Sequence, residues 1–252
     1  MISAIKMISQ TDGLSDAYRQ TVMRTVEHAR LVENLSARRN TLLFGPAGVG
    51  KTHLLRRFIQ ERSEVLFALK INTQRDIFVA LTSELMRLGD LRKSDASISM
   101  SSRSLKGLLV RQLEKKPYCI VLDSIAEPTA ATSAAIKQLN DFGRTPIIVA
   151  AQSMHGEDIG GLRSMFFQKN EQIDIKNFNQ TTALMFAQES AADMQFDCDN
   201  FNFTLDYICE RSEGNPGAIL TMLQMAKSKT YRSGGQIKVH TLYLDFRMGH
   251  VG

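Results

Sequence analysis

Short, continuously apolar runs alternate with longer amphipathic segments along most of the sequence. The runs have the length and the uniform hydrophobicity of strands that are buried on both faces. They lie at residues 41–44, 65–71, 118–123, 146–151 and 172–175. Segments with helical spacing of apolar positions lie between them, at residues 52–60, 77–88, 105–114 and 129–142. This alternation predicts a three-layer α/β/α core around a parallel sheet.

The two ends of the chain follow other patterns. Residues 15–36 have apolar positions at helical spacing and predict an amphipathic helix before the first strand. The strand pattern stops after about residue 179, and helical segments follow at residues 180–193, 203–212 and 217–228. The last apolar positions, from Ile237 to Leu244, alternate weakly, as in a strand. We therefore predict a core domain over residues 1–178 and a small helical lid with a C-terminal tail over residues 179–252.

The first predicted strand leads directly into a glycine-rich loop and then a helix. The loop consists of Gly45, Pro46, Ala47, Gly48, Val49, Gly50, Lys51 and Thr52. Its glycines allow successive main-chain N–H groups to point at phosphate oxygens, and the helix N-terminus adds a favourable dipole. Lys51 is expected to contact the β- and γ-phosphates, and the Thr52 hydroxyl to ligate Mg²⁺. The pattern predicts a site for a nucleoside triphosphate, namely ATP with Mg²⁺.

An aspartate follows the third predicted strand on its carboxyl side. Asp123 is expected to hold Mg²⁺ directly or through water, because ligands bind at this edge of a parallel sheet. The next residue is Ser124, whose hydroxyl is not a useful base at neutral pH. Glu127 would reach the attacking water if the chain turned back; alternatively it caps the next helix or is solvated. The sequence thus predicts slow or partner-dependent hydrolysis.

Three further positions are candidates for the same site. Gln152 follows the fourth strand and would contact the γ-phosphate or water, unless it is an ordinary loop glutamine. Arg163 would supply charge to the transition state, in its own subunit or across an interface, unless it is a solvated surface arginine. Gly214 and Pro216 flank Asn215 at the start of a helix and fit a close approach to a base, although a simple helix start has the same pattern.

Composition narrows the class of protein. The sequence lacks a basic segment followed by an apolar run and lacks any stretch of about 20 apolar residues, so we expect a cytoplasmic protein without a membrane partner. Its three cysteines, Cys119, Cys198 and Cys209, have no metal-ligand spacing. A disulfide framework is therefore not expected, and Cys119 is assigned to the core.

Charge is distributed unevenly over a chain whose formal net charge is +5. Residues 87–116, the basic block, contain eight basic and three acidic residues. Residues 189–213 contain seven acidic residues against Arg211 alone. This asymmetry suggests one face for a polyanion and another for a basic surface such as a neighbouring subunit. Two differently solvated surfaces are the alternative.

From about residue 42 to residue 227, the sequence resembles the AAA+ and STAND branches of the P-loop ATPases. The likeness is to compact origin-recognition-type proteins, NB-ARC switches and bacterial transposition or secretion helper ATPases. It rests on the phosphate loop, the strand aspartate, the polar residue after the next strand, and the Gly-Asn-Pro sequence. The resemblance implies phosphate binding by residues 45–52 and magnesium binding by Asp123. It also implies that Gln152 is sensor 1, and that Gly214 and Pro216 are the lid motif that touches nucleotide.

Two functions remain open. One is an oligomeric ATPase that remodels or recruits a partner and contacts nucleic acid without reading its sequence, through the basic block and the basic C-terminal tail. The other is a nucleotide-gated protein switch, in signalling or defence, with little intrinsic hydrolysis and no nucleic acid; Ser124 favours it. A small-molecule kinase is disfavoured, because the lid resembles that of an oligomerising ATPase.

Overall fold

The structure is a computed structural model that describes residues 22–69, 71–92, 99–125, 127–142 and 145–249. These residues form two compact units. The first, the sheet unit, comprises Glu27–Pro46 and Lys51–Ile175. The second, the helical unit, comprises the described residues up to Val26, residues 47–50 and the described residues from Lys176 onward. The tip of the glycine-rich loop therefore belongs to the helical unit.

The sheet unit is organised around one parallel sheet. Its strands are β1 (Thr41–Phe44), β2 (Val65–Leu69), β3 (Cys119–Asp123), β4 (Ile147–Ala151) and β5 (Gln172–Asp174). Their order across the sheet is β2-β3-β4-β1-β5, and every neighbouring pair is parallel. All residues of β3 and β4 are buried, which accounts for their continuously apolar sequences. The predicted parallel α/β/α core is confirmed.

Helices cover this sheet. They are α1 (Thr25–Ser36), α2 (Lys51–Gln60), α3 (Gln74–Arg87), α4 (Ser102–Lys115), α5 (Ala130–Asp141) and the single turn α6 (Gly156–Ile159). Helix α3 begins with a capping box in which Thr73 and Asp76 satisfy each other's main-chain N–H groups. The Thr73 N–H donates to the Asp76 carboxylate and lowers its pKa. Helix α4 begins three residues before the predicted start at 105, because the Ser101 hydroxyl accepts the Ser104 N–H and caps the helix; residues 93–98 lie outside the described residues.

The register of the sheet brings three strand ends to one edge. Phe44 at the end of β1 pairs with Ala151 at the end of β4. Strand β4 in turn pairs with β3, which ends at Asp123. Because β4 lies between β1 and β3, the segment that follows β4 leaves the sheet between the glycine-rich loop and Asp123. This edge therefore collects the residues that the sequence singled out for phosphate and metal binding.

The helical unit contains α7 (Gln180–Asp193), α8 (Phe201–Arg211), α9 (Pro216–Ala226), a hairpin of β6 (Arg232–Ser233) and β7 (Gln236–Ile237), and α10 (Val239–Met248). The three helices predicted after residue 179 are confirmed. The strand-like prediction for the tail is wrong beyond Ile237. Val239 and Leu242 are buried at helical spacing, while Leu244 is 58% exposed.

The helix predicted over residues 15–36 is interrupted. Helix α1 begins at Thr25, and the preceding Arg24 has a φ of +52°. Leu31 is fully buried as expected, but Val26 is 63% exposed. Residues 15–21 lie outside the described residues. Within the ranges that the structure describes, no helix is long and apolar enough to cross a membrane.

Cys119 lies in the core, as its apolar neighbours predicted. It is buried in β3 and is a free thiol. Burial raises its pKa to about 12, so the thiol stays protonated at neutral pH. We therefore assign Cys119 a structural role in the core.

Candidate functional site

The glycine-rich loop joins β1 to α2. The Gly45 N–H donates to the main-chain oxygen of Gln152, 3.2 Å away, which ties the start of the loop to the end of β4. Gly48 and Gly50 have φ values of +77° and +105°, which favour glycine. A methyl group added at Gly50 would meet no atom within 4 Å, so the space in front of this residue is open.

The ammonium of Lys51 is held at the mouth of this loop. Its Nζ donates to the main-chain oxygens of Gly45, at 2.6 Å, and Pro46, at 2.9 Å. Burial lowers the pKa of Lys51, and the negative charges of Asp123 and Asp158 oppose that shift. Two carboxylates therefore lie within electrostatic reach of the same half-buried cation.

The buried carboxylate of Asp123 is able to accept a further hydrogen bond or a cation. The residue is 1% exposed, and its Oδ1 accepts a hydrogen bond from the Ser124 hydroxyl at 3.3 Å. Its Oδ2 is buried and has no hydrogen-bond partner among the described residues. Buried carboxylate oxygens are normally paired with a donor or a cation. With the hydroxyl of Thr52 in the first turn of α2, this orphaned oxygen provides the hard donor set that Mg²⁺ prefers, so the residues fit the ion.

Gln152, Glu127 and Arg163 are all exposed. The main chain of Gln152 anchors the loop, as described above, and the predicted contact of its side chain stays a prediction. Glu127 lies in a turn with a φ of +45°. Arg163 lies in the 3₁₀ helix Gly160–Met165 and lines an open groove with Phe167. Within the described residues, neither Glu127 nor Arg163 is brought into hydrogen-bond contact with Lys51 or Asp123.

Gly214 and Pro216 have structural contacts of their own in the helical unit. Gly214 has a φ of +71°, and its oxygen accepts a hydrogen bond from the Phe178 N–H at 2.9 Å. A methyl group on Gly214 would lie 2.1 Å from the Phe178 oxygen. Pro216 is buried as the first residue of α9. Their predicted contact with nucleotide stays a prediction.

The residues next to these two contact the tip of the loop. The side chain of Asn215 caps α9 and donates from Nδ2 to the Ala47 oxygen at 2.8 Å. The Gly217 N–H donates to the Gly48 oxygen at 3.0 Å. A methyl group on Gly217 would lie 2.7 Å from the Gly48 Cα, so only glycine permits this approach. Sequence reasoning missed Asn215 and Gly217, although Gly-Asn-Pro-Gly contained the signal.

A buried arginine also binds the loop tip. The guanidinium of Arg24 donates to the oxygens of Val49, at 3.0 Å, and Lys176, at 2.8 Å. It lies 4.7 Å from the centre of the Phe178 ring. A cation over an aromatic face with two carbonyl acceptors is a satisfied buried charge. Its sequence position, in an amphipathic segment, gave no sign of this role.

An acidic residue after β4 was also missed. Asp158 lies in α6, and its carboxylate accepts a hydrogen bond from the Ser153 hydroxyl. The same hydroxyl oxygen accepts the His155 N–H at 3.0 Å. Asp158 is one of the two acids that act on Lys51. The only sequence signal was a polar stretch after the strand.

The basic block divides into paired and exposed cations. Arg87 forms an ion pair with Glu84 at 2.9 Å, and Lys116 with Asp90 at 3.1 Å. Of the remaining cations on α4, Lys106 is half-buried and donates to the Gln138 side chain, whereas three on its outer surface are exposed: Arg103, Arg111 and Lys115. Lys93 lies outside the described residues. The sequence count therefore overstated the charge that is available to a partner.

No protein-family model matches the sequence, and no curated protein matches it. Solved structures do match. A Walker-type ATPase of Pyrococcus abyssi is 17% identical, with a TM-score of 0.62 over 90% of this chain and 72% of its own. Aeropyrum pernix ORC2, solved as ADPNP–ADP complexes, is 13% identical, with a TM-score of 0.58 over 94% and 68%. Aeropyrum pernix ORC1, solved in complex with DNA, is 18% identical, with a TM-score of 0.59 over 95% and 66%.

These matches confirm the predicted resemblance at the level of fold. The chain shares the fold of these structures, a parallel sheet covered by helices and followed by a helical part. It spans between 66% and 72% of the lengths of these three structures.

Proposed function

We propose that this chain binds ATP with Mg²⁺ at the carboxyl edge of its sheet and hydrolyses it slowly. The observation that carries the proposal is that one edge of the sheet holds both the Lys51 ammonium, at the mouth of an open glycine loop, and a buried Asp123 oxygen without a partner among the described residues. One cation for phosphate and one hard anion for a metal are the two charges that a magnesium–triphosphate ligand requires. The similar ORC2 structure contains adenine nucleotides.

The roles follow from the chemistry of each group. Main-chain N–H groups of residues 45–52 and the ammonium of Lys51 would bind the phosphates and neutralise their charge. Thr52 and Asp123 would hold Mg²⁺, which supplies positive charge to the phosphate oxygens when bound. Hydrolysis transfers the γ-phosphoryl group to water and releases ADP. Ser124 cannot take up the proton of that water, which is why we expect slow turnover.

Calorimetry with ATP in the presence of Mg²⁺ tests nucleotide binding. Lys51→Ala should weaken binding about 10- to 100-fold, because a charge-assisted contact to phosphate contributes about 1.5–3 kcal/mol. Lys115→Ala is the matched control: this lysine is exposed at the end of α4, and its loss should leave the affinity unchanged. Equal affinity of the parent and Lys51→Ala proteins would refute the proposal.

We further propose that the outer surface of α4 contacts the phosphate backbone of nucleic acid without reading its sequence. Arg103 and Arg111 are separated by two helical turns and are both exposed, and Lys115 follows one turn later. Exposed cations with this spacing on one helix follow a polyanion well. The similar ORC1 structure was solved with DNA.

Fluorescence anisotropy with labelled DNA over a range of salt concentrations tests this surface. Arg103→Ala combined with Arg111→Ala should lower the affinity and reduce the salt slope by about 2, because two counterion-releasing contacts are lost. The charge-matched control is Arg38→Ala with Lys169→Ala, two exposed cations outside both the basic block and the C-terminal tail. Absence of binding at low salt, or an equal loss in the control, would contradict the proposal.

The second candidate function is a nucleotide-gated switch in which turnover is incidental. It is favoured by the contact of Asn215 and Gly217 with the loop tip, since a ligand in the loop would act directly on the start of α9. Steady-state turnover well above about one per second without a partner would exclude it. The first candidate function is an oligomeric ATPase. Light scattering in ADP and in a non-hydrolysable ATP analogue, with and without DNA, would test whether the chain forms oligomers.

A further inference from the structure

Ser124, the residue after Asp123, does not supply a base. Ser124 has a φ of +61°, and its hydroxyl is directed back to Asp123, to which it donates. Glu127 is exposed and makes no hydrogen bond to another described residue. The proposed hydrolysis therefore lacks an evident group to receive the proton of the attacking water.

Another carboxylate lies at the same edge of the sheet. The segment after β4 leaves between β1, which carries the glycine loop, and β3, which ends at Asp123. Asp158 belongs to this segment and is half-buried. Its charge acts on the Lys51 ammonium, as does the charge of Asp123. Hydrogen bonds also join Asp158 to the phosphate loop: Lys51 donates to the Gly45 oxygen, the Gly45 N–H donates to the Gln152 oxygen, and the next residue, Ser153, donates to the Asp158 carboxylate.

Asp158 is held in a fixed position. Its carboxylate accepts the hydroxyl of Ser153, which leaves the second carboxylate oxygen able to accept another donor. The next residue, Ile159, is fully buried and anchors the short helix α6 in the core. Gly160 follows with a φ of +48°, and a methyl group there would lie 3.0 Å from the Pro128 oxygen. Close packing therefore fixes α6 against the segment that follows β3.

We propose that Asp158 is the carboxylate that receives the proton of the attacking water, an inference that rests on the proposed function above. The water oxygen forms a bond to the γ-phosphorus, the bond from that phosphorus to the β,γ-bridging oxygen breaks, and ADP leaves with the electron pair. Asp158 takes the water proton and later releases it to solvent. Ser153 is a positioning residue, because its hydroxyl orients the carboxylate.

Single-turnover hydrolysis of labelled ATP, with protein in excess and followed over hours, tests the assignment alongside calorimetric ATP binding. Asp158→Asn should lower the rate about 100-fold, as expected for loss of a general base, and leave ATP affinity within about 3-fold. Asp158→Glu should recover part of the rate. Ser153→Ala should reduce the rate about 10-fold with unchanged ATP affinity, because only the orientation of the carboxylate is lost.

Glu157→Gln is the matched control, since Glu157 is an exposed acid on the same short helix and should leave the rate unchanged. An unchanged rate in Asp158→Asn, or a larger loss in Glu127→Gln, would overturn the assignment. So would tighter ATP binding by Asp158→Asn at an unchanged rate, which would make this acid only a counter-ion of Lys51. Failure of the parent protein to bind ATP would instead refute the proposed function.

Discussion

At the carboxyl edge of the sheet, Lys51, Asp123 and Asp158 bring charges of both signs together, and one buried oxygen has no partner among the described residues. At the tip of the glycine-rich loop, main-chain atoms of Gly48 and Gly217 instead approach so closely that no side chain fits at Gly217. The glycine-rich loop contributes residues to both regions. They differ in what a mutation can change.

Charge at the sheet edge serves ligand chemistry and adds little to folding, because a buried charge without a partner is unfavourable to the folded state. Close packing at the loop tip serves the fold, because a single added methyl group has no space. Mutations at the sheet edge should therefore alter binding or turnover at constant or higher stability. Mutations at the packed glycines should lower stability first.

The largest loss of stability is expected for Gly214→Ala. Its methyl group would lie 2.1 Å from the Phe178 oxygen, at a φ of +71°. The left-handed backbone and the overlap together should lower the free energy of unfolding by about 3 kcal/mol, measured by chemical denaturation. Gly234→Ala separates the two causes, because Gly234 has a φ of +62° but nothing within 4 Å of the added methyl group. It should lose only about 1 kcal/mol; equal losses in the two variants would refute the packing argument.

Gly217→Ala should have a smaller effect at the loop tip. The methyl group would lie 2.7 Å from the Gly48 Cα, and the loop would have to move to admit it. We expect a loss of about 1–2 kcal/mol in the free energy of unfolding. The matched helical glycine is Gly107, where the added methyl group meets nothing within 4 Å. Gly107→Ala should be more stable by about 0.5–1 kcal/mol, so effects of the same sign would contradict the comparison.

Asp123→Asn should act in the opposite direction, with the smallest change in stability. An amide is less costly to bury than an unpaired carboxylate oxygen, so the nucleotide-free protein should gain about 1 kcal/mol in thermal or chemical denaturation. The same variant should lose the effect of Mg²⁺ on ATP affinity. Glu157→Gln, at an exposed acid, should change stability by less than about 0.5 kcal/mol. A destabilised Asp123→Asn protein would mean that this carboxylate supports the fold.

The sheet core could be predicted because its strands are buried on both faces and their sequences are therefore uniformly apolar. The glycine loop was equally visible, since its residues are consecutive. The tail was not, because Ile237 ends a short strand and Val239 begins a helix. The alternation of apolar residues across this junction comes from the end of a strand followed by the start of a helix. It therefore resembles the pattern of a single strand.

The remaining site residues depend on contacts between distant parts of the chain. Arg24 binds the Val49 oxygen across 25 residues, and Asn215 binds the Ala47 oxygen across 168. Asp158 lies in a helix of four residues, which is too short to show any periodicity. Arg24 and Asp158 carry no local pattern, and the Gly-Asn-Pro-Gly sequence around Asn215 marks a helix start without indicating its contact with the loop. Only the folded chain therefore reveals these contacts.

The hydrogen bonds of Lys51 to its own loop have a consequence for ligand selection. Two of the three N–H groups of the ammonium already donate to carbonyl oxygens, so an incoming ligand gains one new hydrogen bond and must otherwise exchange acceptors. The free energy gained by each exchange is only the difference between a hydrogen bond to a phosphate oxygen and one to a carbonyl oxygen. This difference grows with the negative charge of the ligand. A lysine satisfied in this way discriminates between anions by their charge, and weakly charged competitors gain little from displacing the carbonyls.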